Sequence, residues 1–534
     1  MVVTIQVLVL LLIVIATVSV LAKRLQVSPA ILLVLTGVVL ALIPGLPKVT
    51  LAPEFVLLLV LPPIIYSSAV AMSWREFRFN LRPIALLAIG AVLFTTVAIA
   101  AATHWLLGFS WPVGFVLGAI VSPPDPVAPL SIARGLKLPR RIAVILEGEG
   151  LANDATALIL YRFAVVAVSA GSFSLGKASG MFVAIIVGEI LWGIGVGWAM
   201  LRLRHWVNEP RIEIVLSILT PFLAYWPPEY LGGSGVLATV ATGLYISWNG
   251  LRLIGAATRL QGIFFWGFFI YVIDGMVFLL TGLQARAVIN SIHDLTGAQL
   301  AISAIVVSAT VIVSRFVWTF PATYLPVWLI PAIARRDPPP SWQRPFLLAF
   351  TGIRGIVSLA AALAIPLTTD DGAPFPHRDL ILFLTFSVIL VTLVGQGLLL
   401  PAVIQWLGLA KAGHREIRAN LAEEYRAREL AVQAAMNRLE TLIAEHKLPD
   451  DIASELRAQH KSRINRIEDR RIEDRKKLSA LRDEVDLELM EAERDAINAL
   501  YRKGALKDEA RRRIERDIDL REAHIANIQS ESGV

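Results

Sequence analysis

Three carboxylates lie within one apolar stretch of the sequence, "LEGEGLANDATALILYR", which covers residues 146–162. They are Glu147, Glu149 and Asp154, and Asn153 precedes the last of them. A charged side chain at the middle of a bilayer costs at least about 2.5 to 3.5 kcal/mol, so membrane-embedded acids usually face a bundle interior and mark ion or proton paths. Helical spacing aligns Glu149 with Asn153 and places Asp154 on the neighbouring face. The pattern predicts an ion or proton site.

The composition indicates that most of the chain lies in a lipid bilayer. The 534 residues are 56% hydrophobic, with a mean hydropathy of +0.64 and no cysteine. Such a chain is a polytopic membrane protein without disulfides. From Lys411 onward, however, 26 basic and 27 acidic residues crowd into a charged tail. The sequence therefore predicts a transmembrane domain over 1–410 and a cytosolic helical tail over 411–534.

Apolar runs predict about thirteen transmembrane helices, since roughly 20 apolar residues cross the ~30 Å core of a bilayer. The predicted limits are 2–22, 29–45, 51–72, 84–107, 111–133, 141–170, 178–203, 211–226, 230–249, 260–288, 298–330, 346–367 and 379–408. The first run lacks a preceding basic residue, so it is expected to stay in the membrane rather than to be cleaved as a signal peptide.

Basic residues alternate between the loops and predict the orientation. Counted together with the three nearest residues of each flanking span, the loops after odd-numbered spans hold 17 Lys and Arg and those after even-numbered spans hold 4. By the positive-inside rule, the N-terminus lies outside and the C-terminal tail in the cytoplasm. We expect a multi-pass protein of the inner or plasma membrane, in contact with membrane lipid.

Two of the predicted spans must be interrupted. The fifth contains "VSPPDPVAPLSIARG", in which four prolines surround Asp125, and no α-helix continues through such a run. The twelfth carries Gly352, Arg354 and Gly355 inside an apolar segment. Broken helices at membrane depth make ion sites in transporters built from inverted repeats. Six spans, one connector and six more would give such a repeat, although Pro and Gly are also common in ordinary membrane helices.

Further charges occur in the middle of other spans. Arg315 in the eleventh is the best structural partner for Glu149, because a buried charge without a partner strongly destabilises a protein. That pairing leaves Asp154, beside the break that holds Asp125, as the exchanging site. Asp274 in the tenth span is either a second titrating acid or a structural residue.

Five motifs carry a family resemblance: "SPPDPVAPLSIA", "EGEGLANDATALILY", "GGSGVLATVATGL", "FLLTGL" and "TGIRGIVSLA". In this order and spacing they resemble the first subfamily of the monovalent cation:proton antiporters, the sodium/proton antiporters, over residues 1–410. The resemblance implies an all-α inverted-repeat fold with two crossing broken helices, a homodimer, and exchange of Na⁺ or Li⁺ for H⁺. It also implies electroneutral exchange, which accompanies an Asn-Asp pair in this family.

The resemblance assigns roles to matching residues. It implies an ion- and proton-binding site formed by Asp154, Asn153 and Asp125, an ion pair of Glu149 with Arg315, and a broken-helix charge at Arg354.

Four positions depart from the family pattern. Gly150 replaces a common Ser, Pro124 a common Thr, Ser67 a frequent Glu, and Asp274 the usual Asn. Losing two side-chain oxygens near the site weakens the case for Na⁺, because hard cations need several oxygen ligands. K⁺/H⁺ exchange therefore remains an alternative. An ion channel, a second class, would share the acids and broken helices but requires a continuous pore.

Other activities lack support in the sequence. It holds no nucleophile with a base, no nucleotide-binding loop and no histidines at metal-ligand spacing, so we expect no enzyme activity, no metal site and no cofactor. In the tail, the charges nearly cancel, which disfavours nucleic-acid binding. Ile514, Ile518, Ile525 and Ile528 form one helical stripe, which predicts helix packing in a coiled coil, within the tail or across a dimer.

Overall fold

A computed structural model describes residues 2–44, 51–170, 175–292, 296–445, 448–471, 473–503 and 505–532. These residues form helices and connections, and the described part contains no strand beyond one isolated bridge between Thr368 and Pro374. Seven of the helices are long and apolar enough to cross a membrane. The predicted all-α polytopic fold is confirmed.

The first of two compact units comprises Met1–Gly413. Its long helices are Val2–Leu25, Pro29–Leu42, Phe55–Ala71, Leu81–Leu107, Arg140–Ala170, Leu175–Val207, Pro210–Tyr230, Val236–Leu253, Ala256–Leu283, Gly297–Leu329 and Arg378–Trp406. Two pairs of shorter helices, Trp111–Val121 with Val127–Gly135 and Gln343–Phe350 with Ile356–Leu363, occupy the fifth and twelfth predicted spans. Every predicted span therefore has a helix or a helix pair, while the count of membrane crossings stays a prediction.

The first broken helix consists of Trp111–Val121 and Val127–Gly135. Pro123, Pro124 and Pro126 lack the N–H groups that a continuous helix requires, so the chain leaves the helix before them. The Oδ1 of Asp125 then accepts a hydrogen bond of 2.9 Å from the Val127 amide, which opens the second half. A carboxylate at this position offsets the unpaired N–H groups of a helix start.

The second broken helix consists of Gln343–Phe350 and Ile356–Leu363. The extended segment between them holds the two glycines and Arg354 that the sequence indicated. The Arg354 amide donates a 3.0 Å hydrogen bond to Oγ1 of Thr392, so a side chain of the last membrane helix satisfies part of the interrupted backbone.

A buried acid outside the breaks, Glu189 of Leu175–Val207, supports the fold. Its carboxylate accepts hydrogen bonds from the amides of Ser234 at 2.5 Å, Gly235 at 3.2 Å and Leu237 at 3.1 Å. These amides begin the helix Val236–Leu253. Glu189 thus caps a neighbouring helix, where a negative charge is favourable, which explains one mid-membrane acid structurally.

The second compact unit, His414–Val534, consists of helices that include Asp450–Arg471, Glu473–Arg502 and Asp508–Ser532. Met490, Ile497, Ile518 and Ile525 form its buried apolar cluster. The predicted stripe needs correction at Ile514, which is 39% exposed. That residue lies nearer the turn between the last two helices, beyond the packed cluster. The side chain of Ile528 lies outside the described part of the structure. A coiled coil, and the division of the chain into a transmembrane domain and a cytosolic tail, stay predictions.

Candidate ion-binding site

The two breaks meet each other in the first unit. The amide of Asp125 donates a 2.7 Å hydrogen bond to the carbonyl of Ile353, which joins the interrupted backbone of the two broken helices directly. Gly355 lies against the Asp125 carboxylate so closely that a Cβ there would overlap its atoms. The two broken helices can therefore cross this closely only because residue 355 has no side chain.

A cavity of about 90 Å³ opens beside this crossing. This space exceeds the ~15 Å³ required by one water, so an ion with part of its hydration shell fits. The polar side chains that line it come from five helical elements; they are Ser68, Asp125, Glu147, Asp154, Asp274 and Ser358. The structure thus brings Asp154, Asp125 and Asp274 to one cavity.

Two buried oxygen atoms lack hydrogen-bond partners in the described part of the chain: one belongs to Ser358, which lines the cavity, and the other to Asn153, which does not line it but precedes Asp154. The Asn153 side chain is fully buried and donates through Nδ2 to the Pro124 carbonyl at 2.7 Å, which leaves Oδ1 unpartnered. The hydroxyl of Ser358, 1% exposed, is likewise unpartnered. Buried polar atoms normally have partners. Amide and hydroxyl oxygens are suitable ligands for a hard cation.

Glu149 and Arg315 form a buried, bidentate ion pair. Arg315 donates from Nη1 to Oε1 at 2.6 Å and from Nη2 to Oε2 at 2.8 Å, and both side chains are at least 97% buried. The Nε of Arg315 also donates to the Leu348 carbonyl at 3.1 Å. Since Leu348 belongs to the second broken helix, the pair fastens that helix to the helix of Asp154.

Arg354 lies within the second break and is 1% exposed. Its Nε and Nη1 have no hydrogen-bond partner among the described residues. Buried polar atoms normally have partners, so these two nitrogens are candidates for a role beyond packing. Arg354 is not among the residues lining the cavity, although its neighbour Gly355 is.

The structure gives a physical reason for one departure from the family pattern. A Cβ at Gly150 would overlap the ring of Pro126, so the helix Arg140–Ala170 has no room for a serine at this position. In the third span, Ser68 rather than Ser67 lines the cavity. Consequently, the hydroxyls near the acids come from Ser68 and Ser358.

Sequence reasoning did not assign a role to Ser358, Ser68 or Glu147. Ser358 was within the quoted motif "TGIRGIVSLA", four residues after Arg354, and its place at the start of a half-helix was an available signal. Serine is so common in membrane helices that spacing alone did not single out Ser68. Among the described residues, no group of His, Cys, Asp and Glu has the arrangement of a metal centre.

We predict that Gly355→Ala strongly reduces transport activity. The added methyl must displace the Asp125 carboxylate, and overpacking of this kind typically costs about 1–3 kcal/mol. The measurement is cation-dependent proton flux in everted vesicles, normalised to membrane expression. Gly395→Ala is the matched control, because nothing lies within 4 Å of a Cβ at that glycine. Equal activity of both variants would contradict the close fit.

Crossed broken helices and an acidic cavity define a class, the secondary transporters of the membrane. The chain belongs to the transmembrane sodium/hydrogen exchanger family, whose profile matches residues 8–406. It is therefore a multi-pass cation/proton antiporter rather than an enzyme, which confirms the family expected from the motifs.

Relatives and a solved structure agree with this membership. An uncharacterised Na⁺/H⁺ exchanger of Mycobacterium tuberculosis is 35% identical over 515 residues, covering 95% of this chain and 93% of that protein. A sodium, potassium, lithium and rubidium/H⁺ antiporter of Bacillus pumilus is 33% identical over 383 residues, 68% of this chain and 56% of that protein. The sodium proton antiporter MjNhaP1 from Methanocaldococcus jannaschii shares the fold, with a TM-score of 0.59, 18% identity, and coverage of 76% of this chain and 98% of that one.

Proposed function

We propose that this protein exchanges Na⁺ or Li⁺ for H⁺ by competition at Asp154. The supporting observation is the cavity between the crossed broken helices, which collects Asp154, Asp125 and Asp274 in one place. A carboxylate there holds either a proton or a monovalent cation. If the site opens to one side of the membrane at a time, this competition couples the two fluxes without ATP.

The proposed coordination uses oxygens from three helical elements. Asp154 supplies the charge, while the unpartnered oxygens of Asn153 and Ser358 replace part of the ion's water. Asp125 contributes its carboxylate from the first break and also holds that break in shape through the Val127 amide. The ion pair of Glu149 with Arg315 positions the helices and stays outside the exchange.

K⁺/H⁺ exchange is the second candidate function. It is favoured by the Bacillus relative, whose name includes potassium among its substrates. It is also favoured by Gly150, because the missing serine removes one oxygen that would suit a smaller ion. The two candidates share the same site and mechanism, so they differ only in the selectivity of the coordination shell.

We predict electroneutral exchange, with one cation moved for each proton. In reconstituted liposomes, Na⁺ and Li⁺ should dissipate an imposed pH gradient, with K⁺ giving a smaller response, and clamping the membrane potential should leave the rate unchanged. Each net charge moved would feel about 2.3 kcal/mol per 100 mV. Indifference to all three cations would refute the proposed function. A potential-dependent rate would refute electroneutrality and indicate that Asp274 or Asp125 also titrates.

The remaining features follow from loop charge and resemblance. We infer residence in the cell membrane, with an external N-terminus and a cytoplasmic tail, from the 17 basic residues in and next to the odd-numbered loops against 4 in and next to the others. A homodimer and contacts with membrane lipid are proposed from the family resemblance. A tag at either end tests the orientation, because only an internal tag is protected from protease in intact cells.

A further inference from the structure

A second polar pocket lies apart from the cation site in the first unit. Its charged lining consists of Arg82, Arg141, Arg344 and Asp337. Asp337 accepts hydrogen bonds from Arg82 at 2.7 Å and from the two Nη atoms of Arg141 at 2.8 and 2.7 Å. The Arg82 and Arg141 side chains remain 30% exposed, so the pocket is open to solvent or membrane.

Positive charge exceeds negative charge in this pocket. Three guanidinium groups face one carboxylate among its lining residues. The hydrogen bonds from Arg141 hold the pKa of the Asp337 carboxyl below its ordinary value, so that group stays ionised at neutral pH. The Arg344 guanidinium forms no hydrogen bond and no close ion pair among the described residues, although it attracts the Asp337 carboxylate at longer range. The lining residues therefore carry two more positive charges than negative ones.

The backbone adds to this excess. Arg82, Arg141 and Arg344 are each the second residue of a helix, in Leu81–Leu107, Arg140–Ala170 and Gln343–Phe350. Three helix N-termini, each with a partial positive charge, thus lie at one pocket. The combination of helix starts and arginines is suited to a phosphate group.

Aromatic side chains of the types that favour the membrane–water interface lie close to this pocket. Tyr324, one residue from the lining residue Thr323, stacks on exposed Trp328, and its hydroxyl donates to the Pro340 carbonyl at 3.1 Å. Trp342, also exposed, lies two residues before Arg344. Tryptophan and tyrosine favour the membrane–water interface. Most of the remaining pocket wall is apolar and includes Leu86, Leu87, Ile142, Ile145 and Leu348.

We propose that this pocket binds the phosphate of an anionic phospholipid, with Arg344 and Arg82 as its principal donors. The acyl chains then follow the apolar wall, as in other basic pockets between membrane helices. The bound phosphate joins the start of the helix that carries Asp154 to the start of the second broken helix. Because a ligand of the folded state stabilises it by mass action, the lipid raises the resistance of these helices to unfolding.

The test uses the delipidated full-length protein in neutral detergent, with unfolding followed by tryptophan fluorescence. Phosphatidylglycerol, phosphatidylcholine with the same chains, and inorganic phosphate are added separately. We expect phosphatidylglycerol to raise the melting temperature well above phosphatidylcholine. Arg344→Gln should remove at least half of that difference, whereas Arg344→Lys, which retains the charge, should keep most of it. Arg252→Gln, which changes an exposed arginine in the last turn of Val236–Leu253, is the control and should respond like the wild type.

The other possible results each overturn either the site or its proposed occupant. Equal responses of the wild type to the two lipids, without a response to phosphate, would overturn the site. So would an Arg344→Gln variant that responds like the wild type. If inorganic phosphate alone produces the full Arg344-dependent rise in melting temperature, the pocket is an anion site that does not require a lipid, and the lipid proposal is overturned. Should Arg344→Gln not fold, Arg82→Gln carries the same expectation.

Discussion

Replacing Asp154 by asparagine is expected to reduce cation/proton exchange to background. Asparagine keeps the size and the polarity of the side chain but neither releases a proton nor offers a negative charge to a cation. Because Asp154 lines the cavity beside the crossed breaks, the change removes the proposed exchanging group while altering little of the packing. The measurement is quenching of a pH-sensitive dye in everted membrane vesicles, after addition of Na⁺, Li⁺ or K⁺.

Two companion variants separate chemistry from folding. Asp154→Glu retains a titrating carboxyl and should keep residual exchange with an altered apparent affinity for the cation. Asp370→Asn changes an exposed acid in the loop between the second broken helix and the last membrane helix, so its activity should match the wild type. Wild-type rates in Asp154→Asn, at equal expression, would refute the assignment of this residue.

The second large effect concerns the buried pair of Glu149 and Arg315. Arg315→Gln or Glu149→Gln alone leaves an uncompensated charge in a site that is at least 97% buried. Breaking such a pair costs about 3–5 kcal/mol, so each single variant should show a marked fall in melting temperature and in the yield of folded protein. Thermal unfolding of the purified protein in detergent measures the loss.

The double variant provides the discriminating comparison. Glu149→Gln with Arg315→Gln removes both charges and leaves two amides that can bond to each other, so it should be more stable than either single variant. Arg140→Gln, which breaks the exposed ion pair with Glu76, is a matched control and should cost less than about 1 kcal/mol. A double variant less stable than both singles would contradict the pairing argument.

Much of the fold was predictable because the membrane imposes strong local rules. The proline run around Asp125 cannot remain helical, and the structure breaks the helix between Val121 and Val127. Glycines on both sides of Arg354 indicated the second break, which runs from Thr351 to Gly355. An unpaired charge at membrane depth destabilises the protein, and for this reason the sequence also predicted that Glu149 has a partner.

Other features depended on contacts between distant segments and left no local signal. The hydrogen bond from the Asp125 amide to the Ile353 carbonyl determines how the breaks cross, yet backbone groups carry no sequence information. Ser358 becomes a candidate ligand only when its half-helix lies beside the cavity. Likewise, Asp337 lies in a loop, and no spacing in the sequence connects it with Arg82 or Arg141.

Proton release on cation binding tests the central claim most directly. Purified protein in weakly buffered detergent solution is mixed with saturating Na⁺ or Li⁺, and the pH is followed with an indicator dye. Competition at a single carboxyl predicts release of at most one proton per chain, reduced when the starting pH is raised, and absent in Asp154→Asn. Cation binding without proton release at any pH, or undiminished release from Asp154→Asn, would contradict the account.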